Sequence, residues 1–168
     1  RTKVPTPPRD QQATLAALLA VTDELLARNP GVEAIGLGAA GMVEWPGGQA
    51  RWAPHNTYRR MELRRLLQER TGLPTIVDND ANVAAWAEAR FGGGAVTDDL
   101  VLVTVGTGIG GGLVLDGRLY HGVHGFAGEL GHMIVDPDGD RCACGNTGCL
   151  EAMASGSTMC RRRSSSAG

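Results

Sequence analysis

No stretch of this chain stays apolar for the roughly 20 residues that a bilayer-spanning helix needs, and nothing near Arg1 has the pattern of a secretory signal. A large net charge is missing too: 16 Lys and Arg stand against 18 Asp and Glu, for a formal charge of -2. That balance gives no field for gathering polyanions, and the only basic cluster, residues 161–163, sits in a polar tail. Membrane insertion and nucleic-acid binding are therefore not expected, and the cytosol is the expected compartment. The chain has no internal repeat, and no C-x-x-C pair of the thioredoxin kind. It lacks an initiating Met, and "RTKVPTPPRD" begins as though an earlier strand preceded it. Cysteine is sparse, with 4 in 168 residues, yet three of the four fall between positions 142 and 149.

What is present reads as one globular chain, 42% hydrophobic and able to bury a respectable core. In residues 10–28, Leu15, Leu18, Leu19, Thr22, Leu25 and Leu26 recur at the helical period until "NPG" stops it. "VEAIGLGAAGMV" predicts a buried strand ending in a glycine-rich turn, and "GGQARWAP" a short strand with its turn. Residues 59–70 predict a second helix. "LPTIVDND" predicts a strand running into the alanine-rich helix "ANVAAWAEARF", which "GGG" closes. This alternation implies an α/β layer over residues 1–93. From 94 to 168 the style changes, with "LVLVTV" and "GGLVLDG" as two strands in quick succession. The last nine residues lose all periodicity and read as a solvated end.

His132, Cys142, Cys144 and Cys149 offer four soft or borderline ligands, the donor set of a closed tetrahedral zinc site with a structural role. A disulfide between Cys142 and Cys144 would close a very small, strained ring, and a reducing cytosol would keep it open. Cys160 stands outside the pattern and reads as an uninvolved thiol. A bound metal could supply about 10 kcal/mol of folding free energy to a loop with almost no apolar residues of its own. Glu129 and Glu151 flank this knot, which marks them as a functional pair rather than solvated surface acids.

"VTVGTGIGGGLVLDG" formally contains G-x-G-x-x-G, but it runs into the apolar "LVL" instead of opening a helix, so a dinucleotide site is not expected. Glycines between two strands can instead present backbone N–H groups to an anion, with the Thr107 hydroxyl beside them; a plain glycine-rich hairpin is the alternative. "VDNDAN" puts Asp78, Asn79 and Asp80 where a strand hands over to a helix, the place where α/β sheets present ligands and where the helix N-terminus stabilises an ionised carboxylate. Simple helix capping by Asn79 or Asp80 is the competing reading.

"VDNDANVAAWAE", "TVGTGIGGG", "GFAGELGH" and "CACGNTGCLEAMASG" together resemble the successive motifs of the ROK family of bacterial sugar kinases and repressors, most closely its glucokinases. That resemblance covers nearly all of residues 1–159. It implies an actin-like, hexokinase-type (ribonuclease H-like) α/β fold of two domains, incomplete at both ends, with residues 1–93 in the small domain and 94–168 opening the large one. It further implies an ATP-dependent kinase acting on the 6-hydroxyl of glucose. Asp80 would be the general base. Asn79, Glu129, His132 and Glu151 would hydrogen-bond the sugar alongside Asp80, with His132 serving both sugar and zinc. Thr107 and Gly108 match the family's second phosphate loop. ATP with Mg2+, a structural Zn2+ and a homo-oligomer, dimer or tetramer, complete the expectation.

Departures from the family pattern are Asp78 where its glucokinases carry Glu, and Ala40 where Pro is usual before Gly41. No D-x-G-G-T hairpin precedes Arg1, and "MCRRRSSSAG" does not match the family's continuation. The expectation is therefore a truncated form, feebly active by itself. A sugar-sensing repressor, or a kinase for fructose, mannose or an N-acyl hexosamine, is the alternative.

Overall fold

Asp10 starts the first helix: its side chain accepts the Ala13 N–H at 2.9 Å, and α1 runs over Gln11–Arg28. The computed structural model describes residues 1–7, 10–53 and 59–159, so Cys160 and residues 161–163 lie outside it. Of the predicted α1 stripe, Leu15 and Leu18 pack against a core while Leu25 is exposed. β1 (Ile35–Ala39) pairs in parallel with β5 (Thr75–Asn79), in the register Ile35 to Thr75 through Ala39 to Asn79. Between them lie an antiparallel sheet of β2 (Met42–Glu44), β3 (Gln49–Trp52) and β4 (Arg59–Met61), then α2 (Leu63–Thr71).

The strand and glycine-rich turn expected over residues 32–43 are β1 and the turn at Gly41, where φ is +97° and an added Cβ would stand 2.5 Å from the Trp52 carbonyl oxygen. One expectation changes here. Residues 59–61 form β4 rather than the start of a helix. Met61 pairs with Ala50 and is buried, and Arg60 takes a left-handed φ of 50° that no helix admits. Ala39, Val43, Ala50, Met61, Leu63 and Val77 are the buried core of this half.

The chain divides into compact units at Asp80 and Ala81, so α3 (Asp80–Phe91) goes almost wholly with the second unit, ahead of the 93/94 boundary expected from composition. The reason lies in the small residues. β6 (Leu100–Val105), β7 (Ile109–Leu115) and β8 (Arg118–Leu119) form an antiparallel sheet, and β7 carries three consecutive glycines. A Cβ at Gly112 would stand 2.5 Å from that of Ala85 and 2.9 Å from the Ala81 carbonyl, so α3 lies close on one face of β7. On the other face, a Cβ at Gly111 would meet the Gly128 carbonyl at 2.5 Å and Leu130 at 2.8 Å. A 3-10 turn at Leu130–His132 and the short helix α4 (Leu150–Ala154) complete the unit. Among the described residues, no helix is long and apolar enough to cross a membrane.

Candidate functional site

The loop from Met133 to Cys149 has little apolar content and is shaped by backbone pairing: Val135 N–H donates to the Gly148 carbonyl, Cys142 N–H to Asn146, Gly148 N–H to Asp140 and Leu150 N–H to Met133. Gly148 is required at its place, since φ is +75° and an added Cβ would overlap the Asp136 carbonyl. The folded loop brings His132, Cys142, Cys144 and Cys149 together, with their ligand atoms all within 4.8 Å of one another. Cys144 Sγ stands 3.7 Å from Cys149 Sγ, and Cys142 Sγ 3.7 Å from His132 Nδ1. Zinc–sulfur and zinc–nitrogen bonds in a tetrahedron give ligand-to-ligand edges of roughly 3.5 to 3.8 Å, so the donor set fits such an ion, whereas a disulfide would need its sulfurs at about 2.05 Å.

Burial pushes the Cys149 thiol up to about 12 and raises Cys142 as well. Burial would raise Cys144 too, but hydrogen bonds from the Asn146 N–H and from the Cys142 and Cys149 thiols outweigh it and hold that group below its ordinary value.

The two acids expected beside the knot are placed differently. Glu129 lies across the imidazole from the cluster, its Oε2 3.8 Å from His132 Nε2, and remains one-third exposed. Glu151, in the first turn of α4, is buried, and its Oε2 accepts the Ile109 backbone N–H at 2.8 Å. The turn between β6 and β7 is tight, with Gly106 N–H donating to the Gly108 carbonyl at 2.9 Å. Of its four amides, Gly106 and Ile109 are thus committed. Thr107 and Gly108, the residues singled out for phosphate, keep theirs without a protein acceptor among the described residues. An added Cβ at Gly108 would overlap the Glu151 carboxylate. As expected, the glycine run continues into a strand, β7, and opens no helix.

Gly156 and Ser157 also hold this turn, a role the sequence reading missed: Gly156 N–H reaches the Gly106 carbonyl, and the Ser157 hydroxyl the Thr107 carbonyl, both at 2.8 Å. The sequence signal for them is "ASGS" at residues 154–157, where the motif that begins at Cys142 ends.

In the first unit, β5 delivers Asp78, Asn79 and Asp80 in sequence. Asp78 is buried and its Oδ1 accepts the Asn79 N–H at 2.7 Å, while the Asn79 side-chain amide donates to the Gly41 carbonyl at 2.9 Å. Asp80 begins α3 and is exposed.

Comparison with known proteins places these features in company. A family model described as "ROK family" matches residues 1–167. A glucokinase of Streptomyces coelicolor is 40% identical over 159 residues, which are 95% of this chain and 50% of that protein. An N-acetylmannosamine kinase of Escherichia coli is 41% identical, covering 93% of this chain and 53% of its own length. A xylose repressor of Caldicellulosiruptor bescii is 36% identical, at 87% and 38%. Among solved structures, a Streptomyces griseus glucokinase in complex with glucose and AMPPNP superposes with a TM-score of 0.90 at 40% identity, over 98% of this chain and 53% of that one. The chain spans about half the length of the curated relatives it matches.

Proposed function

The chain belongs to the ROK family, and from that premise we propose that the whole protein is an ATP-dependent kinase that phosphorylates glucose at its 6-hydroxyl. Its mixed α/β fold is the actin-like fold of the solved ROK sugar kinases, of which it covers about half. Asp80 carries the reading: an exposed carboxylate at a strand-to-helix junction, next to an Asn79 anchored by its own side chain.

In this reading Asp80 accepts the proton of the attacking hydroxyl, and Asn79 orients the sugar from the same strand end. Glu129, His132 and the second oxygen of Glu151 hydrogen-bond further hydroxyls, because ionised carboxylates are strong acceptors for the many donors of a polyol. The Thr107 and Gly108 amides are the donors that would take a phosphate of the nucleotide, and Mg2+ bound with ATP would neutralise phosphate charge. His132, Cys142, Cys144 and Cys149 hold Zn2+, which fixes the loop that carries His132 and ends at Glu151. Support for glucose comes from the Streptomyces relatives, one of them solved with glucose and a nucleotide analogue.

A second reading, a sugar-responsive repressor, draws on the similarity to the xylose repressor. Such a protein binds sugar but has no need of a base. To separate the two, the complete reading frame is expressed and ADP production followed with glucose, ATP and Mg2+. Asp80→Asn is expected to lower kcat by about 10² to 10⁴ with zinc content unchanged. A protein that binds glucose yet forms no ADP, wild type and variant alike, belongs to the repressor side.

A further inference from the structure

We propose that Glu151 is a positioning residue for the glycine turn at residues 106–109, beyond the sugar contact given to it above, and that it passes the order of the cysteine cluster to that turn. The functional consequence rests on the kinase reading; the geometry does not.

α4 has five residues, too few to hold a helix by its own hydrogen bonds, so its ends decide where it sits. Its N-terminal flank is Cys149, fully buried, one of the four clustered ligands and bridged to Ile134. Leu150 N–H is tied to the Met133 carbonyl at 2.9 Å, next to His132. Cys149 of the cluster and Met133, the neighbour of His132, thus fix the first turn of α4, where Glu151 stands. From there its Oε2 takes the Ile109 amide at 2.8 Å in a buried setting. A charged acceptor makes this the strongest kind of backbone hydrogen bond.

Gly108 has no side chain because the carboxylate fills that space. Its φ lies outside the left-handed region, so close approach alone explains the glycine. Beyond α4, Gly156 and Ser157 bind the Gly106 and Thr107 carbonyls. The turn is therefore held from both ends of α4, and its two uncommitted amides are aimed by a residue anchored two positions from a metal ligand. Among the described residues only Oε2 of the carboxylate is hydrogen-bonded, which leaves Oε1 for a ligand.

The test is amide hydrogen exchange at Ile109, read by NMR without sugar or nucleotide on metal-loaded protein from the complete reading frame. Glu151→Ala is expected to speed exchange at Ile109 about tenfold or more, because the local bond that protects it is gone. Glu151→Gln keeps an acceptor oxygen but loses the charge, and is expected to fall between wild type and Glu151→Ala, with exchange at Ile109 about threefold to tenfold faster than wild type. Gly108→Ala pushes on the carboxylate from the other side and is expected to act like Glu151→Ala without altering the acid. Chelating the metal is expected to raise exchange at Ile109 as well.

Circular dichroism and metal content are read on each variant; if Glu151→Ala fails to fold, Gly108→Ala and Glu151→Gln decide. Unchanged exchange at Ile109 in Glu151→Ala or Gly108→Ala overturns the positioning role, and protection that survives chelation overturns the link to the cluster. Lost kinase activity with unchanged exchange would sink the positioning role while the kinase reading stands. Faster exchange in a protein that phosphorylates no sugar does the reverse.

Discussion

Three thiols set the behaviour of the cluster at the residue scale. A metal takes thiolates, yet burial holds Cys149 at about 12 and Cys142 above its ordinary value, so both are protonated near neutrality in the metal-free fold. Zinc uptake at pH 7 is therefore expected to release about two to three protons per ion, measured with an indicator dye in weak buffer, and affinity is expected to fall as pH falls. Stability of the metal-free chain has the opposite sense at high pH. The Cys149 thiol lies near 9.0 when unfolded and about 12 when folded, so the fold favours the protonated form. That contribution is complete below pH 9 and is lost as pH rises from 9 toward 12. Denaturant midpoints of the metal-free chain should accordingly be lower at pH 10.5 than at pH 8; equal midpoints would place Cys149 outside the buried cluster.

These four residues were legible in the sequence, because thiols and imidazole announce themselves by type and spacing. The partner of Glu151 was not. A backbone amide such as that of Ile109 has no signature, and only the folded hairpin brings it within reach.

Among the elements, β7 is the most constrained. Its glycines admit α3 on one face and residues 128–130 on the other, so volume added there has nowhere to go. Gly112→Ala is expected to cost about 1 to 3 kcal/mol, the usual range for overpacking. Thermal unfolding would show it, and Gly93→Ala, where an added Cβ meets nothing within 4 Å, is the matched control. Element reading from sequence succeeded where period and caps agreed, as in α1 and at the β5 to α3 junction. It failed at β4, because Arg59 and Arg60 look like helix surface and only cross-strand pairing with β3 reveals them as a strand. The close packing of α3 on the glycines of "IGGGLVL" was not legible either, since a glycine that makes room for a helix has no signature of its own in the sequence.

For the molecule as a whole, the zinc proposed for the cysteine cluster is the term on which the second unit would lean. The loop that carries the ligands is polar, and its buried Cys142 and Cys149 pack with Ala152 of α4 as a small apolar cluster. Chelation is expected to lower the thermal midpoint of that unit by well over 10 °C, given about 10 kcal/mol from a structural zinc. Amides of β1 and β5, which draw on the separate core around Val43 and Leu63, should keep their protection under the same treatment. Loss of protection in both units together would show that they unfold as one.

The parallel pairing of β1 with β5 bears on time. β6 and β7 meet across a three-residue turn, but Ile35 and Thr75 are forty positions apart, and every residue pair of that ladder must await closure of the whole crossover. In refolding, the hairpin therefore nucleates early and the parallel ladder closes late. Asn79, which takes its place opposite Ala39 at the end of that ladder, is among the last residues to be set. In refolding of the complete chain the β6–β7 hairpin is thus paired before the strand end that presents Asp80, whereas the hold of Glu151 on its turn, 42 positions from Ile109, waits on a closure of similar length.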